Sequence, residues 1–177
     1  MAAGDLNLGG DRPQAGAPAA PAPTLVIGFG NPLRGDDGIG VEVVERLRAQ
    51  GLPAGVEVSD GGTHGLDLVN LMQGRRRVIL VDAAPLGKRP GEYVRAALDR
   101  VRLRAPADLH SAHAAGVGEA LALAHALGLL PDEVIIFGVQ PACVDWHSAL
   151  SPEMEAALPD LITAVLAEIG SEERKHG

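Results

Sequence analysis

The chain has 177 residues, enough for one domain with a full core, and its 23 acidic against 15 basic side chains leave a formal charge of −8. No basic cluster exceeds Arg75-Arg76-Arg77, which argues against a nucleic-acid partner. A single cysteine, Cys143, rules out a disulfide framework within the chain and points to a reducing cytoplasm.

Residues 1–23 are rich in Ala, Pro and Gly and have almost nothing to bury, so they read as a disordered tail. They lack the basic-then-apolar build of a signal peptide, and no later run approaches the ~20 apolar residues of a membrane span. TLVIGFG (24–30) is a short apolar run bounded by glycine, as expected of a strand covered on both faces. Ile39, Val43, Val44 and Leu47 then recur at helical spacing through about residue 49. VEVSD (56–60) reads as a second strand and Leu66–Met72 as a short helix. RVILVDA (77–83) is the most hydrophobic strand and belongs at the centre, whereas GEYVRAAL (91–98) has mixed polarity and belongs at an edge. A polar stretch from Asp99 to Ser111 leads into a helix through about Leu127, and EVIIFGV (133–139) is the last strand. Ser151-Pro152-Glu153 opens the final helix with a cap and a first-turn proline, and Pro159 is expected to kink it or split off its first turn.

Alternating strands and helices predict an α/β three-layer sandwich, with a mostly parallel, five-stranded twisted sheet and helices on both faces. A single domain is expected over residues 24–170, followed by a flexible C-terminus over 171–177.

Open parallel sheets bind ligands at the carboxyl ends of their strands, where the winding reverses. Those ends are polar here: Asn31, Asp36 and Asp37 after the first strand, Asp60 after the second, and Asp82 after the third. His110 and His113 follow the edge strand, and Gln140, Asp145 and His147 follow the last one. Each acid has a plain structural reading, since an Asp before a helix usually caps it and a strand-terminal Asp often accepts from a loop. Two adjacent capping acids would be redundant, however, so Asp36 is assigned the cap and Asp37 the cleft. One rim holding so many acids and imidazoles suits a metal or an acid/base pair.

Competing motifs fail. Gly28-Phe29-Gly30 suggests dinucleotide binding, but Leu33 stands where the third glycine belongs, and Asp60 lies too far along to be the ribose acid. No Gly-Lys-Ser/Thr, Gly-x-Ser-x-Gly or H-E-x-x-H is present, and Cys143 near His147 suggests no triad order.

The run Gly28-Phe29-Gly30-Asn31-Pro32-Leu33-Arg34-Gly35-Asp36-Asp37-Gly38-Ile39-Gly40 resembles the opening motif of the hydrogenase maturation endopeptidases. Asp60-Gly61-Gly62-Thr63, Val81-Asp82-Ala83, Ser111-Ala112-His113 and Gly138-Val139-Gln140-Pro141 follow in the family's order, and the resemblance spans about residues 24–168. It implies an endopeptidase that removes a C-terminal extension from the large subunit of a nickel–iron hydrogenase. It further implies that Asp37, Asp82 and His113 are both the catalytic and the metal-reading residues, with nickel supplied by the immature large subunit. Many family members carry Glu where this chain has the shorter Asp37. Asp60 is expected to shape the cleft, and His64 and His110 fall outside the metal pattern as supporting candidates. A monomer without a membrane partner is expected. The alternative from another class is a metal-sensing assembly factor or chaperone that grips the same precursor without cutting it, and a small-molecule enzyme on this fold ranks third.

Overall fold

The computed structural model describes residues 22–63, 66–98, 114–147 and 149–171. In chain order the elements are β1 (Thr24–Phe29), a 3-10 turn (Gly35–Gly38), α1 (Ile39–Gln50), β2 (Val56–Gly62), α2 (Leu66–Met72) and β3 (Arg77–Ala83). They continue with β4 (Tyr93–Ala97), α3 (Ala114–Ala126), β5 (Glu133–Val139) and α4 (Pro152–Gly170). The five strands form one sheet in the order β2-β1-β3-β5-β4. All neighbours run parallel except β4, which pairs antiparallel with β5 at the edge. The expected α/β sheet, its central β3 and its edge β4 are therefore present.

Alternation along the strands divides the core in two. Val26, Ile79, Val81, Ile135 and Phe137 pack with the apolar faces of α1 and α4. Leu25, Ile27, Phe29, Val78 and Leu80 pack instead with Leu68 and Met72 of α2 and Leu121 and Ala124 of α3. Every residue of β1 and β3 is buried, which is why both read as continuous apolar runs. Among the described residues, no helix is long and apolar enough to cross a membrane.

Two expectations are corrected. Pro23, assigned to the tail, is tied to the sheet because its carbonyl accepts from the N–H groups of Arg76 (2.9 Å) and Arg77 (3.0 Å). Pro159 does not split α4, which runs unbroken with that proline inside it. Its position is exposed, as is that of Glu155, whose carbonyl loses its helical donor. Meanwhile Met154, Leu158, Leu161, Ile162, Val165 and Ile169 anchor the opposite face in the core. The capping expectation holds at the helix start, where Ser151 Oγ accepts from the N–H of Met154 at 3.3 Å.

The start of α1 lies directly on the sheet, and glycine makes that approach possible. A Cβ on Gly40 would fall 2.3 Å from the Val81 carbonyl oxygen and 2.4 Å from that of Phe29. Gly40→Ala should therefore lower stability by about 2–3 kcal/mol or more, read as a lower urea midpoint at unchanged m-value, because backbone on both sides has little room to yield. A variant as stable as the parent would show that α1 can slide.

Candidate active site

The chain leaves β1 towards β2 on one side and reaches β3 on the other, so the carboxyl ends of β1 and β3 flank the switch point of the sheet. Asp37 enters from the 3-10 turn after β1, and Asp82 from the last residues of β3. Gly30 sets the path of the first loop. Its φ of +124° lies in the region that favours glycine, and a Cβ there would fall 1.7 Å from the carbonyl oxygen of Asp37. The Asn31 N–H donates to Asp37 Oδ2 at 2.9 Å, and the Asp37 N–H donates to the Arg34 carbonyl at 3.4 Å.

Both acids are withdrawn from water, Asp37 with 3% and Asp82 with 8% of its surface exposed. Burial, reinforced by the Asp37 charge, pushes the Asp82 carboxyl up to about 7, while a hydrogen bond from the Ala83 N–H opposes the shift. Asp82 Oδ1 is buried without a hydrogen-bond partner. A like-charged pair with an orphaned oxygen is costly alone and is suited to a cation. The fold thus brings two of the three predicted site residues together. The third, His113, lies outside the described residues, as do His110 and His64. Among the described residues, no three His, Cys, Asp or Glu side chains gather into a metal site.

Asp36 requires a correction. Its side chain caps neither the 3-10 turn nor α1. Fully buried, it accepts instead from the N–H groups of Ala142 (2.8 Å), Cys143 (3.0 Å) and Ser151 (2.6 Å) and from Ser151 Oγ (2.9 Å). The carboxylate latches the loop between β5 and α4 onto the loop that carries Asp37. Partners more than 100 positions away leave no mark on the local sequence, so a cap was the only role legible there.

The other described residues of the polar rim make structural contacts. Gln140 Oε1 accepts from the N–H groups of Leu86 (2.7 Å) and Lys88 (3.3 Å), fixing the β3–β4 connection. Asp145 accepts from Cys143 Sγ at 3.2 Å and holds that thiol above its usual range, which speaks against a nucleophilic cysteine. The His147 imidazole lies against Gly35. Asp60 Oδ1 accepts from the Gly62 N–H at 2.7 Å, a local turn. With Asp67, Asn70 and Leu71, Asp60 also lines a cleft of about 490 Å³ beside β2.

Comparisons with known proteins agree with this fold. A family model described as hydrogenase maturation protease matches residues 41–168, which include Asp82 and His113 and begin shortly after Asp37. The chain is 37% identical over 151 residues to the hydrogenase expression/formation protein HupD of Bradyrhizobium diazoefficiens, covering 82% of this chain and 79% of that one. It is 32% identical over 146 residues to the hydrogenase 2 maturation protease of Escherichia coli, covering 82% and 89% respectively. Its fold superposes on the hydrogenase maturating endopeptidase HybD from E. coli with a TM-score of 0.75 at 32% identity, over 84% of this chain and 93% of that one. On these matches and this architecture, the chain belongs to the hydrogenase maturation protease family.

Proposed function

We propose that this protein removes a C-terminal extension from the large-subunit precursor of a nickel–iron hydrogenase, and that it cuts only a precursor already loaded with nickel. The observation that carries the reading is the buried Asp37–Asp82 pair at the switch point, with one Asp82 oxygen left unpartnered. Two carboxylates and the imidazole of His113 form a donor set that nickel(II) accepts, with further coordination positions left for the precursor's own ligands. Nickel so held can polarise a nearby carbonyl or activate water. The protein's part is to present two desolvated acids whose mutual repulsion eases when a cation arrives, and to hold the polypeptide against them. An empty precursor brings no cation, leaves the repulsion in place and is not cut.

Incubating the protein with nickel-loaded and nickel-free precursor, followed by gel electrophoresis, tests this directly. A shortened product should form from the loaded precursor alone. Equal cleavage of both would remove nickel from the mechanism. Binding without cleavage of either would make the protein an assembly factor.

A further inference from the structure

The whole chain contains two Phe, one Tyr and one Trp. Phe29 and Phe137 are buried, and Tyr93 packs on Phe137 with ring centres 6.0 Å apart. Trp146 is the exception, with 79% of its surface exposed, in the loop that Asp36 latches down. On the facing loop Leu33 is 61% exposed. Between them Arg34 sets its Cζ 5.9 Å from the centre of the Trp146 ring.

This exposed pair is held firmly. Arg34 and His147 form a β-bridge, and the Gly35 N–H donates to the His147 carbonyl at 2.6 Å. The Asp36 N–H donates to the Cys143 carbonyl at 3.3 Å, and the Asp36 carboxylate adds four further bonds to the same loop. Through the bond from the Asp37 N–H to the Arg34 carbonyl, the lip and the acid belong to one cross-linked unit. Large apolar side chains carried into water on backbone held in this way offer contact area at reduced cost in conformational entropy, a property of recognition surfaces.

The occupant follows from position and charge. A protease must hold the extended chain on either side of the bond it cuts, and this lip shares its loop with Asp37. Within a chain of net charge −8, the lip itself carries a cation, Arg34, whose guanidinium lies over the Trp146 ring. An extended peptide offers carbonyl oxygens to the guanidinium and side chains to the indole face. We propose that Leu33, Arg34 and Trp146 form the contact surface for the precursor segment flanking the scissile bond, held beside Asp37 by Asp36 as a positioning residue. This rests on reading the protein as a precursor-processing protease.

Trp146 is the only tryptophan in the chain, so full-length protein labelled with 5-fluorotryptophan gives a single fluorine resonance. Titration with nickel-free precursor should shift or broaden that resonance to saturation without turnover. With loaded precursor, Trp146→Ala should raise KM about tenfold while kcat and Tm stay close to the parent values, and Trp146→Phe should restore most of the loss. Asp36→Asn should broaden the resonance in the free protein and raise KM as well, because an amide can no longer accept from every donor of the latch. A resonance unmoved by precursor that co-elutes with the protein, or a wild-type KM for Trp146→Ala, overturns the proposal. Should the parent protein cleave nothing, the protease reading fails, and the resonance still decides whether the lip meets the precursor.

Discussion

Asp82→Asn should abolish processing and at the same time make the protein more stable at pH 8. The two effects share one cause. Folding carries the Asp82 carboxyl into a buried position facing Asp37 and leaves Oδ1 unpartnered, which raises its pKa from 3.8 to about 7. An acid raised by folding binds more protons in the folded state between those two values. Stability on its account therefore falls as pH rises through that window and is flat above it. A shift of about three units corresponds to a ceiling of roughly 4 kcal/mol, since each unit is worth 1.36 kcal/mol. The asparagine amide still leaves polar atoms to satisfy, so a gain of about 2 kcal/mol at pH 8 is expected, or a rise in Tm of about 4–8 °C. The gain should shrink steadily as pH is lowered towards 4. Processing should drop by at least ~100-fold, because the group proposed to meet the substrate's cation is gone. In the parent protein the processing rate should itself fall as pH drops below about 7, where Asp82 takes up a proton. Melting curves and a precursor-processing assay across pH 5–8 check both halves, and an active Asp82→Asn enzyme would remove Asp82 from the site.

Arg77→Ala should have the opposite profile, a severe loss of stability with little effect on catalysis. Arg77 opens β3 at the end remote from Asp82, and only 1% of its surface is exposed. Its Nε lies 2.7 Å from Glu133 Oε2, its Nη1 donates to the Glu168 carbonyl at 2.6 Å, and its Nη2 pairs with the Glu168 carboxylate. Arg95 joins from the edge strand, with its Nε 2.5 Å from Glu168 Oε2. The cluster staples the last turn of α4 to the sheet. Truncating its central cation removes the buried partner of Glu168, leaving Arg95 on the carboxylate and Ser171 on the carbonyl, and removing one partner of a buried ion pair costs about 3–5 kcal/mol. A fall in Tm of about 10 °C is expected, with kcat at a permissive temperature near that of the parent. Arg77→Met, which keeps the volume of the side chain, should recover part of the loss. A Tm within 2–3 °C of the parent for the alanine variant would show that Arg95 alone suffices to hold Glu168.

How far the sequence could be read follows from the range of each interaction. The strands, their order of burial and the cap at Ser151 were legible because apolar alternation, glycine punctuation and capping act over a few residues. Asp82 could be placed at the rim for the same reason, since it ends the most apolar strand. The split expected at Pro159 did not occur, because six core contacts along α4 outweigh one missing hydrogen bond. The role of Asp36 was invisible because its donors lie 106 to 115 positions further on.

Local pattern along the chain carries the layered α/β plan, the central and edge strands, the acidic rim and the family motifs. Packing between distant segments settles which acid latches a loop and which lies close to another acid. It alone withdrew Asp82 from water with one carboxylate oxygen unpartnered, and set a lone exposed tryptophan against the loop that carries Asp37. Desolvation and hydrogen-bond partnership depend on what the whole chain packs around a group, and that is settled only when distant segments meet.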